Sequence, residues 1–276
     1  MRQSFTAARL IHAGIAAALM VPMAACATTQ TSSTALEPAL RTAASAPTRT
    51  AANVARDPAR HPVETLGFFG VQPGDTVVEI WPGGGWYTEI LAPYLTAGGG
   101  KLYVAPPAGR GTDNITAKLT ADAATYGTVT VAPITAGSAP AIPSGSADVV
   151  LTFRNVHNWL MGTTPQADAM FAEMFRMLKP GGTLGIVDHR LPESGDAERE
   201  RSSGYLKTST VRALAEKAGF RLVESSEVNA NPKDTADWPQ GVWTLPPTFR
   251  LGETDRAKYQ AIGESDRMTL RFVKPE

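Results

Sequence analysis

Three stretches of this chain concentrate side chains that can move protons, grip anions or seat a ligand. Arg154-Asn155-Val156-His157-Asn158 and Asp188-His189-Arg190 bring two imidazoles and two guanidiniums together with amides and a carboxylate. Imidazole accepts and returns protons near neutral pH, so His157 and His189 are candidates for acid–base work; the alternative for each is a hydrogen-bonded structural role at a strand end. Arg154 and Arg190 can each hold an anionic substrate, or pair with an acid such as Asp188. Asn155 joins His157, His189 and Arg154 as a polar catalytic candidate. His157, His189 and either Asp188 or His61 are possible metal ligands, but they follow no recognisable ligand spacing and no metal is expected. His61, just before Pro62, is expected at the surface. The third stretch is Glu79-Ile80-Trp81-Pro82-Gly83-Gly84-Gly85-Trp86-Tyr87-Thr88. Glycines let a backbone approach a ligand closely, and a helix start offers unpaired N–H groups. Trp86 and Tyr87 can stack on a ligand or pack in a core.

Regular elements must hold these residues. Thr76–Ile80 is an apolar run with Val77-Val78 at its centre, which reads as a buried strand. Ile90, Leu91 and Leu95 follow at helical spacing, so the glycines join a strand to a helix. Upstream, Asp57-Pro58 reads as a helix start with Asp57 capping, and Gly70 with Pro73-Gly74-Asp75 ends that helix. Downstream, strands are expected at Lys101–Val104, Thr128–Val131, Ala147–Phe153, Thr183–Asp188 and Arg221–Val228. Helices are expected over Ile115–Tyr126, over the 3/4-spaced Met170, Phe171, Met174, Phe175 and Leu178, and over Tyr205–Phe220. The alternation argues a parallel, doubly wound sheet. Asn229–Phe249, with Trp238, Trp243 and several prolines, reads as an ordered excursion that either covers a crevice or packs against the sheet.

The stretch from Thr76 resembles motif I of the class I S-adenosylmethionine (SAM)-dependent methyltransferases, which runs apolar, apolar, acidic, apolar, Gly-x-Gly-x-Gly. Glu79 falls on the acidic position, and Gly83 and Gly85 on the second and third glycines. "SADVVLTFRNVHNW", "RMLKPGGTLGIVDHR", "YLKTSTVRALAEKAGF" and "SDRMTLRFVKP" resemble, in order, the family's later strands and helices. The likeness covers about residues 57–276 and extends to a bacterial, partly exported group with a "WPGGGWYTEILAPYL"-like core. It implies a Rossmann-like, seven-stranded sheet, mostly parallel with an antiparallel last strand. It also implies SAM as cofactor, held by Glu79, Gly83, Gly84, Gly85, Trp86 and Tyr87, and a small-molecule methyl acceptor. In the family's sheet order, the ends of the first, fourth and fifth strands share one crevice. Methyl transfer is an in-line displacement, and His157 or His189 would suit as the base for a protonated acceptor.

Three positions depart from the family pattern. Trp81 stands for the first glycine, the second strand ends Val104-Ala105-Pro106 without the ribose-binding acid, and residues 134–138 lack the acid that often meets adenine. They leave two other function classes open: a ligand-binding or structural protein that kept the fold, and a hydrolase or lyase using the same crevice.

The bulk composition excludes little. Lys and Arg number 26 against 26 Asp and Glu, so charge gives no support for a nucleic-acid partner. A single cysteine excludes an internal disulfide. Residues 1–25 read as a secretory signal peptide: a basic start, then an apolar stretch of 16 residues, short of the roughly 20 a membrane span needs. Met23-Ala24-Ala25-Cys26 resembles a lipobox, which predicts acylation of Cys26 and export to the periplasmic side; ordinary cleavage after Ala27 is the alternative. Residues 26–56, rich in Ala, Thr, Ser and Pro, read as a flexible tether.

Overall fold

In the computed structural model, which describes residue 1 and residues 30–139, 141–161 and 165–276, the strands form one twisted sheet. The chain begins with helices α1 (Gln30–Ala44), α2 (Ala51–Val54), α3 (Asp57–Arg60) and α4 (Pro62–Phe68). The alternating part follows: β1 (Thr76–Ile80), α5 (Thr88–Gly98), β2 (Lys101–Ala105), α6 (Arg110–Ala121), α7 (Ala123–Tyr126), β3 (Thr130–Val131) and β4 (Ala147–Phe153). It continues through α8 (Val156–Leu160), α9 (Ala167–Met177) and β5 (Leu178–Leu191). A short β6 (Leu206–Lys207), α10 (Thr208–Lys217), β7 (Arg221–Ser226), α11 (Arg256–Ile262) and β8 (Arg267–Val273) complete it.

The strand order is β3-β2-β1-β4-β5-β8-β7, with β6 pairing parallel to the end of β5. The strands from β3 to β5 run parallel, and β8 is antiparallel to both neighbours. Both faces are covered, so the central strands carry consecutive apolar residues, such as Val77-Val78 and Val149-Val150-Leu151, rather than an alternating pattern. Val78, Ile80, Val150 and Ile186 face a core built with Met170, Phe171, Met174 and Val211 of α9 and α10. Val77, Val149, Leu151 and Val187 face the other core, filled by Leu66, Ile90, Leu91 and Leu95 of α4 and α5. Among the described residues no helix is long and apolar enough to cross a membrane.

Most expected elements occur, with shifted ends. β5 begins at Leu178, where a helix stop was expected, because Leu178 already pairs with Ala147 across an irregular register. Asp57 does not cap a helix; it lies in the first turn of α3, and its carboxylate holds Arg49 Nη1 and Nη2 at 2.6 and 2.9 Å. The larger correction concerns the tether. Residues 2–29, which hold Cys26 and nearly all of the expected signal peptide, lie outside the described residues, but residues 30–56 are not a free spacer. Leu40 and Ala43 of α1 are buried in the core shared with α4 and α5. Thr50 Oγ1 donates to Glu89 at 2.6 Å, and Asn53 O accepts from Trp86 Nε1 at 2.9 Å. Leu40, Ala43, the partly buried Ala44 and a few polar anchors help to dock a segment whose composition looks unable to fold, because the partner surface supplies the rest of the apolar area.

Candidate active site

The carboxyl ends of β1, β4 and β5 open on a cleft of about 380 Å³, closed on its other sides by residues 53–60, 242–248 and 264–265. Glu79, Gly83, Gly84, Trp86, Tyr87, Arg154, Asn155, His157 and His189 all line it. The topology explains the gathering, since β1 neighbours β4 and β4 neighbours β5 at about 4.8 Å per step.

After β1 the chain turns through Trp81, with φ 51°, and Gly83, with φ 58°. Trp81 therefore holds a left-handed backbone that glycine adopts without strain, which explains the glycine in the resembling motif. Trp81 N donates to Ala105 O at 2.9 Å, its indole meets Trp159 edge-on at 5.8 Å, and Asn155 Nδ2 donates to Trp81 O at 3.2 Å. A Cβ on Gly83 or Gly84 would meet nothing within 4 Å, so this part of the turn is open to a ligand. Gly85 is different. It is not among the cleft-lining residues, and a Cβ there would lie 3.1 Å from Ile115 and Lys118, so it serves close packing against α6.

Glu79 is buried and accepts one hydrogen bond from a side chain, from Thr88 Oγ1 at 2.6 Å. Burial raises its carboxyl to about 7, against the smaller opposing effect of Thr88, so it exchanges a proton near neutrality. Trp86 and Tyr87 reach the cleft but are chiefly packing residues. Tyr87 stacks on Phe153 with centroids 3.5 Å apart, and Trp86 lies under the guanidiniums of Arg60 and Arg49 at 4.7 and 5.2 Å.

At the end of β4, Arg154 also has a left-handed backbone, φ 63°, fixed by its N–H donating to Val187 O at 2.7 Å. Asn155 lines the cleft and also acts as a clamp: its Nδ2 donates to Ile80 O, Trp81 O and Thr152 Oγ1, tying the end of β1 to β4. His157 Nδ1 lies 2.7 Å from Asp188 Oδ1, and its backbone N–H donates to Asp188 Oδ2 at 3.3 Å. The buried carboxylate thus fixes the ring and leaves Nε2 as its free nitrogen. His189 lies 5.1 Å from His157, ring to ring, with Nδ1 against Ser265 Oγ at 2.5 Å. Burial, then the positive side chains around it, Arg154 and Arg267 among them, push His189 well below 6.5, so it is a neutral imidazole at pH 7.

His157, Asp188 and His189 also place possible ligand atoms within 4.8 Å of one another. The nearby Arg154, Arg267 and Arg60, however, give this corner a positive field that opposes a dication. His61 is half-buried at the left-handed junction of α3 and α4, with φ 42°. Arg190 does not reach the cleft: it is paired with Asp266 at 2.8 Å and Glu227 at 2.7 Å rather than with Asp188.

Sequence reasoning missed the other half of the site. Arg56 and Arg60 line the cleft from the N-terminal helices, and Glu264 and Ser265 from the approach to β8. Glu264 pairs with Arg56 at 2.7 Å, Arg60 at 3.2 Å and Arg267 at 3.3 Å. Burial raises its carboxyl, but hydrogen bonding to Arg56 and the charges of Arg60 and Arg267 outweigh that and hold it at about 2. The i, i+4 spacing of Arg56 and Arg60 was a visible signal, yet the same spacing is common on solvated helix faces.

Residues 79–186, less than half of the chain, match a sequence family described as "Methyltransferase domain". No curated protein matches the chain. Among solved structures, it is similar to a SAM-dependent methyltransferase from Aquifex aeolicus, at TM-score 0.55 and 18% identity over 80% of this chain and 93% of that one. It is also similar to the [4+2]-cyclase SpnF, at TM-score 0.58 and 14% identity over 87% of this chain and 92% of that one. A third is phosphoethanolamine N-methyltransferase 2 of Haemonchus contortus, solved with SAM, at TM-score 0.52 and 19% identity over 79% of this chain but 53% of that one. These likenesses establish the fold: the mostly parallel sheet with its antiparallel β8 is that of the class I methyltransferases.

Proposed function

We propose that this protein is a SAM-dependent methyltransferase acting on a small molecule. One observation carries the reading: the open Gly83-Gly84 turn and the His157–Asp188 pair face the same cleft. The matched domain family and the fold support it. The residues fit the amino-acid half of SAM. Gly83 and Gly84 leave room for it, and Glu79 has one carboxylate oxygen not engaged by Thr88 to accept from an ammonium. The adenosine half has no acid at Ala105 and would rest on packing near Trp81, and each ribose hydroxyl left without an acceptor costs about 1–3 kcal/mol.

Bound SAM supplies an electrophilic methyl group on a sulfonium. The chain's own contribution is position and proton handling. His157 Nε2 takes the proton of an acceptor hydroxyl, amine or thiol, and Asp188 stabilises the imidazolium that results. Neutral His189 serves as a hydrogen-bonding wall, held by Ser265. Asn155 keeps the glycine turn in place. Residues 242–248 cover the cleft and exclude water.

The direct test is SAM and S-adenosylhomocysteine (SAH) binding to the full chain by calorimetry and thermal shift. Ligand at 100 times its Kd adds about 2.7 kcal/mol, which raises Tm by roughly 5–10 °C for a domain of this size. Gly84→Asp places a carboxylate in open space without a packing clash and is expected to abolish that rise while leaving the unliganded Tm nearly unchanged. No heat from either ligand at millimolar concentration sinks the proposal. The second reading, a non-catalytic binder, is favoured by Trp81 and Ala105, and that result would promote it.

We also propose export and acylation at Cys26, on the lipobox-like Met23-Ala24-Ala25-Cys26, so that the enzyme works at the periplasmic side of a membrane. Cells fed labelled palmitate are expected to label the parent chain and not Cys26→Ser; equal labelling removes the anchor.

A further inference from the structure

The N-terminal wall of the cleft carries more positive charge than the protein neutralises. Arg56, Arg60, Arg154 and Arg267 surround Glu264 as their shared carboxylate. Other buried or part-buried arginines here are matched: Arg49 is bidentate on Asp57, and Arg190 bridges Asp266 and Glu227. In the cluster, Arg154 makes no side-chain hydrogen bond or ion pair among the described residues. Arg56 Nη2, Arg60 Nη2 and Arg267 Nε are buried without partners, and the side chains of Arg60 and Arg267 are only 2% and 4% exposed. Burial and mutual repulsion lower Arg60 to about 9 and Arg154 to about 10, the signature of cations short of counter-charge. Three of the four line the cleft beside Gly83 and His157.

We propose that Arg56, Arg60 and Arg154 bind the oxyanion of a small molecule, a carboxylate or phosphate, which in the reading above is the methyl acceptor. Planar guanidiniums match such oxygens two at a time; Arg154, which no protein group pairs among the described residues, is the donor that lines the cleft, and Arg56 and Arg60 set further positive charge beside it. An anion at this wall places the rest of an acceptor toward the glycine turn and the free nitrogen of His157. The amino-acid end of SAM also bears a carboxylate, so the test must separate the two sources. A single carboxylate engages one or two guanidiniums; the cluster has more.

The experiment uses the full chain, with inorganic phosphate and succinate as probes against chloride at equal ionic strength, read by calorimetry and Tm. Saturable binding that weakens at least tenfold in Arg154→Gln supports the site; this variant breaks no ion pair, so its fold is expected to survive, and Arg56→Gln provides a second reading. Binding unchanged in both variants, or no binding of either probe, overturns it. Probe binding that persists with saturating SAH supports the acceptor assignment, whereas competition by SAH assigns the anion to the cofactor and overturns it. If the probes bind and SAH does not, the arginine site stands and methyl transfer falls.

Discussion

A His157→Gln variant is expected to turn over about 10²–10⁴-fold more slowly than the parent, with the SAH Kd unchanged. The size follows from the roles that the geometry allows. Nδ1 is engaged by Asp188 at 2.7 Å, so one defined tautomer presents Nε2, and glutamine can fill the space but cannot take up a proton. Asp188→Asn is expected to give a loss of the same order, because it frees the ring and removes the charge that supports the imidazolium. The double variant should then lose little beyond either single one, as residues acting as a unit do. The readout is SAH released with any acceptor the parent accepts, across a pH series. A structural histidine would move Tm and leave the pH profile intact; a catalytic one removes a limb of that profile. Full activity in both variants would return His157 to a packing role.

Glu264→Gln is expected to cost about 3–5 kcal/mol of stability at pH 7, the scale for removing one partner from a buried charge group. Three arginines, one of them 2% exposed, would lose the carboxylate they share, while the cost of burying them stays. The pH dependence gives an independent check. Its carboxyl is held near 2 in the folded protein against 4.5 as the ordinary value. A depressed carboxyl contributes stability that is complete above the unfolded value and disappears as pH falls through the folded one. The Tm gap between parent and variant should therefore be widest above pH 5 and close between about pH 4.5 and 2. Thermal melts at several pH values measure it. A gap of the same size at pH 3 and pH 7 would show that Glu264 matters for its shape and not its charge. Added phosphate should narrow the gap, since an oxyanion supplies the counter-charge that glutamine lacks.

The strand and turn half of this site was legible in the sequence and the arginine half was not. Val77-Val78 and Val149-Val150 announce themselves because a strand covered on both faces runs apolar through consecutive central positions. Glu79, Gly83 and His157 could then be placed, because a parallel sheet delivers its strand ends to one edge. Asp188 was visible as a residue, but its grip on His157 depends on β4 and β5 being neighbours in a given register. Arg56 and Arg60 gain their meaning from Glu264, 208 and 204 residues away, and no local pattern encodes such a pairing. The segment before Asp57 misled for a related reason. Its alanines and threonines carry too little apolar area to fold alone, and their docking is decided by the surface of α4 and α5.

The arginine–glutamate group joins positions near the two ends of the folded chain, with Arg56 and Arg60 on one side and Glu264 and Arg267 on the other. Contacts that close so long a loop form late, because the chain must lose the freedom of everything between them first. The cleft lacks this wall until residues past 264 have been synthesised. Ligand-binding competence is therefore a property of the finished polypeptide.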